Sequence, residues 1–475
     1  MISPLLPAAL GVDGGMRFME CDLTGVNREV EGSISSPEEI LSEAIGEIYR
    51  GRMTTTSGGN FSLRDRDDAG ALWITPAGVD KGNLTPEDMI RVLADGSWVG
   101  EHRPSSEFPI HRSIYQKRPD VMAVIHAHPP ALVAYALARK SPDLQAIPQI
   151  QDLCGPVGYA DYRLPGSAEL GDVISLEFER GANVVVMENH GVAVAGRSMR
   201  EAFLRLTAAE FCAQAIIDAA RLGPPKSAGA EAQRRDQERL SSGQTEDMVE
   251  KKVEELQADV IATADAVRVS LAELVQRACR QGLMPRSCGS VSQRLGGGDF
   301  MITPHAMLRP GVRVEDMVWM RGRACVNVED DASTMPSRSW ALHEEIYRTH
   351  PEVNSIIITQ APAVMAHAVA QQRLDVTSNP ESWVFVREVA QLPYGSQVAN
   401  EDGVSRVAQA LGPECPVVLI DNEAIVVTGG PLMQTFDRLE VSEFTAQSIL
   451  LAKSIGSAVD MESEKITELR QAFCS

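Results

Sequence analysis

Residues 104–138 read PSSEFPIHRSIYQKRPDVMAVIHAHPPALVAYALA, and residues 336–370 read PSRSWALHEEIYRTHPEVNSIIITQAPAVMAHAVA. Set at an offset of 232, they share Pro104/Pro336, Ser105/Ser337, His111/His343, Tyr115/Tyr347 and Pro119/Pro351, and most other pairs keep their apolar character. The match extends in both directions. Upstream, SGGNFSLRD around Gly59 pairs with SCGSVSQRL around Gly289, and WITPAG pairs with MITPHA. Downstream, NVVVMENHGVAVAG pairs with PVVLIDNEAIVVTG at an offset of 233. Self-similarity over this length means one domain written twice.

The repeat sets the expected boundaries. Residues 1–35 precede it as an N-terminal arm, 36–222 form the first copy, 223–247 a linker and 248–475 the second copy. The linker stretch, GPPKSAGAEAQRRDQERLSSGQTED, is rich in Pro, Gly, Ser and charge, with no sustained apolar stripe. Within each copy, helix and strand signals alternate. Ser36-Pro37-Glu38-Glu39 is an N-cap, a helix-starting proline and an acidic first turn, and ILSEAIGEIYRGRM behind it is apolar at near-helical spacing. VMAVIHAH reads as a buried strand, PPALVAYALARK as a helix with proline at its front, and NVVVMENHGVAVAG as two strands about a tight turn. The expected class is α/β, two tandem three-layer domains with helices on both faces of a central β-sheet.

With 475 residues, 44 Lys+Arg and 65 Asp+Glu, the chain carries a formal net charge of −21. That balance argues against a nucleic-acid partner and against docking to anionic membranes. It does not exclude a small anion, which binds to local donors and dipoles. The eight cysteines are scattered with no C-x-x-C pair, as expected of thiols in a reducing compartment. The longest uncharged stretch, Val121–Ala138, is interrupted by two histidines and Pro129-Pro130, a poor membrane span. The expectation is a soluble, cytoplasmic protein.

His126-x-His128 is the sharpest chemical signal. Side chains two apart on a strand project from one face, so both imidazoles can converge on one metal ion. His190 in the Asn189-His190-Gly191 turn is a third candidate ligand, and Glu107 a fourth. Alone, such histidines could equally be hydrogen-bonded residues at strand ends. The second copy weighs against that, because it carries Ile358, Gln360, Glu423 and Ser339 at these four places while keeping the surrounding scaffold. All four candidates change together, as one functional unit would. A second grouping, Gly58-Gly59-Asn60, Ala77-Gly78 and Ser105-Ser106, offers backbone N–H groups and short hydroxyls suited to a phosphate, or simply forms turns. The second copy keeps Gly289, Ser290, Pro336 and Ser337 there but has Arg338 in place of Ser106.

Taken in order and spacing, SGGNFSLR, WITPAGVDKGNLTPEDM, PSSE, HAHP and ENHG resemble the class II, zinc-dependent aldolase family, which also contains the adducin head domain. The likeness covers about Glu38 to Ala220, and Leu271 to Ile455 as a degenerate second copy. Among enzymes the first copy is similar to L-fuculose-1-phosphate aldolase. Ribulose-phosphate 4-epimerases form a sibling branch in which aspartate follows the serine pair, and Glu107 favours the aldolase side. The resemblance implies one Zn2+ per chain, held in the first domain by His126, His128 and His190, with Glu107 as a displaceable fourth ligand that turns general base. It implies that Gly59, Asn60, Gly78, Ser105 and Ser106 hold the phosphate of a small sugar, and that the reaction is a carbon–carbon lyase step through a metal-stabilised enediolate. An epimerase, decarboxylase or dehydratase could use the same chemistry. A non-catalytic assembly protein like the adducin head would lack the ligands that the first copy retains.

Two departures from the family pattern stand out. Ala77 replaces a threonine often found in the phosphate loop. Aldolases of the family also use a tyrosine from a neighbouring subunit, but AIPQIQDLCGPVGYADY has Gln149 near the expected place, with Tyr159 and Tyr162 further on. Since the family's enzymes are C4 tetramers with sites at subunit boundaries, the resemblance also implies a homodimer of tandem chains, four domains in pseudo-fourfold order.

Overall fold

A computed structural model describes residues 36–228, 234, 250–253 and 258–473, apart from 69, 306, 328–334, 397–400 and 457–460. The expected arm at 1–35 and most of the 223–247 linker lie outside the described residues.

The first half runs α1 (Pro37–Arg50), β1 (Asn60–Arg64), β2 (Leu72–Ile74), β3 (Ile90–Val92), β4 (Trp98–Val99), α2 (Phe108–Lys117), β5 (Ala123–Ala127) and α3 (Pro130–Leu137). It continues with α4 (Pro148–Cys154), β6 (Val157–Ala160), α5 (Ala168–Glu179), β7 (Val184–Met187), β8 (Val192–Gly196) and α6 (Met199–Ala219). The second half contains β9 (Glu250–Val253), α7 (Ala258–Arg280), β10 (Ser290–Gly296), β11 (Asp299–Ile302), β12 (Val318–Arg321), β13 (Ala324–Asn327), α8 (Trp340–Thr349), β14 (Ser355–Thr359) and α9 (Pro362–Ala370). Then come α10 (Pro380–Val386), β15 (Val389–Leu392), α11 (Glu401–Ala410), β16 (Val417–Ile420), β17 (Ala424–Gly429), α12 (Leu432–Ile455) and α13 (Ser463–Phe473).

The strands make two sheets, ordered β4-β3-β2-β1-β5-β8-β7-β6 and β15-β16-β17-β14-β10-β11-β12-β13-β9. Strand for strand, the second repeats the first and adds β9, paired parallel to β13. Apart from that β9–β13 pair, both sheets are antiparallel except at β6–β7 and β15–β16, where a helix connects parallel neighbours. β5 and β14 are central, with five buried residues each, and their near-continuous apolar character follows from helices lying on both faces. In the first half, α2 and α5 close one face over Ile110, Ile114, Val124, Ile174 and Phe178. The helices α1, α3 and α6 close the other.

This second face is shared. One apolar core runs from Leu41, Ile45 and Phe203 through Leu206 and Ala213 into Val364, Ala368 and Val369 of the second half. The two copies are thus welded along α6 and α9. A buried ion pair spans the same boundary, with Arg286 Nη1 2.7 Å from Oε2 of the fully buried Glu47. Among the described residues no helix is long and apolar enough to cross a membrane.

Several starts follow the local rules. Ser36 caps α1 and Glu39 returns the bond to the Ser36 N–H, completing a capping box behind Pro37. The helices α3 and α9 begin at proline after Pro129 and Ala361, residues with no side-chain acceptor. Their caps come from a distance. Glu210 on α6 accepts from the N–H groups of Ala131 and Leu132 at 2.8 and 2.9 Å, and Glu443 on α12 does the same for Ala363 and Val364.

Candidate metal centre

The site forms where β1 and β5 lie side by side, in register at Asn60 and His126. His126 is fully buried within β5, while His128 stands just beyond the strand's end, where β5 turns toward α3. His190 sits on the turn between β7 and β8, whose tight path rests on Asn189 at φ +53°. Glu107 precedes α2. The three imidazoles offer ring nitrogens that all lie within 4.8 Å of one another, the group of this kind found among the described residues. Glu107 Oε2 is 3.0 Å from His126 Nε2, and its Oε1 is 3.2 Å from His190 Nε2.

Two glycines let these groups approach. A Cβ at Gly58 would fall 2.7 Å from His128 Nδ1, and one at Gly191 would fall 2.5 Å from His128 Cδ2. Neither position can carry a side chain without moving the ring.

The proton positions can be argued from the partners. His126 Nδ1 lies 3.0 Å from the Val192 carbonyl, an acceptor, so the nitrogen carries the hydrogen and donates. In the neutral ring Nε2 is then a bare lone pair, and it faces a carboxylate oxygen 3.0 Å away. Two acceptors at that distance repel unless a cation lies between them. His126 Nε2, His128 Nε2, His190 Nδ1 and Glu107 Oε1 are all buried without a hydrogen-bond partner. The close approaches to Glu107 therefore lack hydrogen-bond geometry, which agrees with groups aimed at a shared ion rather than at each other. Three nitrogens and one carboxylate oxygen suit a borderline divalent metal. Burial works against charge on Glu107, and positive charge at the His126 and His190 side of the site, where a bound cation would stand, is what holds the carboxyl well below its usual range. His128 is pushed down to about 4 by burial and by the two other rings, leaving it neutral and able to ligate.

Behind Glu107 runs a chain of hydrogen bonds not visible in the sequence reading. Asn60 Nδ2 donates to Glu107 Oε2 at 2.8 Å, so its Oδ1 accepts from His111 Nε2 at 2.5 Å. His111 Nδ1 accepts from Ser62 Oγ at 2.6 Å, and Ser62 accepts from Tyr115 at 2.8 Å. Every direction follows from Glu107 being an acceptor only. Burial, reinforced by His126, pushes His111 down to about 3, which keeps it neutral as the chain requires. The residue was conspicuous in the repeat only as a shared histidine. Asn60, expected in an anion cradle, gives one amide N–H to Glu107 and its Oδ1 to His111.

The remaining cradle residues occupy two paired loops. Pro76 and Pro104 bridge, Ala77 N–H donates to Arg103, and Ser105 N–H donates to Thr75. Gly59 at φ +72° closes against Thr54 and the His126 carbonyl, whereas Gly78 at φ +70° has open space beside it. Ser105 is buried and Ser106 exposed. Lys81 ties this loop from beneath through the Pro76 carbonyl, and burial pushes its amine down to about 8. Arg309 does the same for Pro304 in the second copy, so the tie is architectural.

The second copy keeps the chain and loses the centre. Tyr347, Ser292 and His343 repeat the contacts, but His343 Nε2 meets Ser290 Oγ at 2.8 Å and Ser290 meets Ser339 Oγ at 2.7 Å. Ile358 is buried, and Gln360 Nε2 donates to the Glu423 carbonyl at 2.8 Å and to Gln149 Oε1 at 3.3 Å. The polar side chains there satisfy one another. His343, fully buried, is pushed down from 6.5 to about 3. Between pH 6.5 and 3 the unfolded chain takes up a proton that the folded chain refuses, so stability is lost as pH falls through that window, by about 1.4 kcal/mol per unit. Between pH 7 and pH 5 the unfolding free energy from urea titrations should fall by about 2 kcal/mol more in the parent than in His343→Gln, since the other buried histidines titrate alike in both; an equal fall in the two would show that His343 is not buried neutral.

The profile of the Class II Aldolase and Adducin N-terminal domain family matches residues 39–217 and again 269–450. A 5-deoxy-D-ribulose 1-phosphate aldolase of Bacillus thuringiensis serovar kurstaki is 32% identical over 191 residues, spanning 40% of this chain and 87% of its own. A 3-oxo-tetronate 4-phosphate decarboxylase of Pectobacterium atrosepticum is 30% identical over 194 residues, spanning 39% and 88%. The solved structure of an L-fuculose 1-phosphate aldolase is 28% identical, covering 44% of this chain and 98% of that one, with a TM-score of 0.40. With most of its length matched in two successive blocks, the chain belongs to the class II aldolase and adducin N-terminal domain family, which it contains twice.

Proposed function

We propose that the chain is a zinc-dependent lyase that breaks a carbon–carbon bond in a small phosphorylated sugar, using the first copy alone. The observation that carries the reading is the meeting of two acceptors, His126 Nε2 and Glu107 Oε2, 3.0 Å apart beside two more orphaned imidazoles. A metal ion held by His126, His128 and His190 supplies positive charge next to the oxygens on which negative charge gathers when a bond adjacent to a carbonyl breaks.

The chain's own residues do the rest. Glu107, ionised and fixed by Asn60, is placed to take a proton from a substrate hydroxyl and return it to carbon. The line from Asn60 back to Tyr115 holds that carboxylate in one orientation. Gly59, Gly78, Ser105 and Ser106 hold the phosphate through backbone N–H groups and hydroxyls, fixing the distance from phosphate to reacting carbon. The matched relatives act, by their names, on sugar phosphates of this kind.

The test is to incubate the zinc-loaded protein with ketose 1-phosphates and analyse the products. Dihydroxyacetone phosphate plus an aldehyde, abolished by chelation and restored by zinc, is the expected result. An epimer as sole product, or turnover indifferent to chelation, would replace this reading.

A further inference from the structure

In the second copy the polar groups at the ligand positions bond one another, but the two loops beside them have gained positive charge. The Pro304–Pro336 bridge and a 2.7 Å bond from the His305 N–H to the Met335 carbonyl hold these loops together. His305 stands in place of Ala77 and Arg338 in place of Ser106, while Arg309 sits beneath the loop where the first copy has Lys81. A further cation comes from the other copy, Arg200 in the first turn of α6. His305 is pushed down to about 4 by burial and then by the charges of Arg338, Arg309 and Arg200, and no carboxylate among the described residues counters the three.

Like charges gathered this way repel, and the donors they carry are not used up. Arg338 is exposed and forms no ion pair among the described residues. Arg309 is 4% exposed and gives Nη1 to the Pro304 carbonyl at 2.8 Å, while its buried Nε has no partner. A guanidinium buried without a counter-charge destabilises the fold unless an anion joins it. The Ser337 and Ser339 hydroxyls, 3.1 Å apart, stand at the start of α8, a ten-residue helix with no side-chain cap and no acid in its first turn. The positive end of its dipole therefore faces the same loops without an answering charge.

We propose that these loops of the second copy form a metal-free binding site for a phosphate monoester, gripped by Arg338 and His305 and met by Ser337, Ser339 and the start of α8. The planar fork of Arg338 suits two oxygens of one phosphate, which a serine at that place could not match. With Ser339 at the place of Glu107 and Ile358 at that of His126, neither a base nor a metal-binding imidazole stands beside the ligand, so it is bound and released unchanged. Arg200 adds its charge from α6, so an occupied site draws the two copies together across their shared face. The second copy is then a sensor of phosphorylated small molecules rather than a site of turnover. This goes beyond the lyase reading and does not depend on it.

Equilibrium dialysis of the full zinc-loaded chain against radiolabelled inorganic phosphate tests this. The Ser106→Asp variant places a negative charge in the first copy's cradle, so the binding it retains belongs to the second copy. It is expected to hold about one phosphate per chain, against about two for the parent. Adding Arg338→Ser should weaken that binding about 10–100-fold, the effect of losing a charged hydrogen-bonding partner. Arg338→Lys, which keeps the charge without the fork, should recover part of it and so separates loss of contact from loss of fold. Glycerol phosphate should displace the label. No binding by Ser106→Asp, equal affinity after Arg338→Ser, or failure of glycerol phosphate to compete would each overturn the site. One phosphate per chain in both the parent and Ser106→Asp would refute the phosphate subsite of the lyase reading and leave this one standing.

Discussion

Replacing Glu107 with Gln is expected to lower turnover about 10²–10⁴-fold while zinc stays near one per chain. The change keeps shape and removes charge. Asn60 Nδ2 still finds an oxygen to accept its bond, so the carboxamide sits where the carboxylate did. The three imidazoles of His126, His128 and His190, which could hold a metal, are untouched. What disappears is the group proposed to take and return the proton. Turnover and bound zinc, measured on the same preparation, separate this from collapse of the centre. Turnover within tenfold of the parent would show that the base lies elsewhere, and loss of zinc in step with activity would make Glu107 a ligand first.

The second large effect concerns stability and lies far from the chemistry. Glu443→Ala should cost about 2–4 kcal/mol, because it leaves the N–H groups of Ala363 and Val364 buried without an acceptor. No solvent reaches them, since Ala363 and Val364 are 3% and 0% exposed. The carboxylate also sits at the positive end of α9. Because α9 is the helix that α6 covers, loosening its first turn loosens the weld between the copies. At about 2–4 °C per kcal/mol, the melting temperature should fall by roughly 5–15 °C. Glu443→Gln, which keeps one acceptor, should fall less. A shift under about 2 °C for the alanine variant would mean that the helix start relaxes to find other partners.

Much of the fold was legible because apolar runs and prolines act locally. The strands at Ala123–Ala127 and Val184–Met187 are short buried runs, and α3 starts at the second proline of Pro129-Pro130. The duplication was legible from identities alone. Strand order was not, since pairing β5 between β1 and β8 is decided by contacts across more than sixty residues of chain. In the centre, His126, His128, His190 and Glu107 announced themselves by type and by their joint loss in the second copy. The support behind them did not. Ser62, His111 and Tyr115 are joined across 49 and 53 residues, and in sequence they are one serine on a strand and two residues on a helix face. Glu210 and Glu443 read as ordinary polar residues of long helices, although they cap other helices across 78 to 80 residues. Leu137 and Val369 are alike in sequence and opposite in exposure, because α6 lies over the helix of Val369 and nothing among the described residues lies over Leu137.

The central claim is that one copy carries a metal and the other is its scaffold. It is tested most directly by zinc content per chain, in protein purified without chelator, for the parent and for His126→Ala. The account predicts about one zinc per chain in the parent, and none after the substitution. Two zinc ions per chain, or one that survives loss of His126, would contradict it.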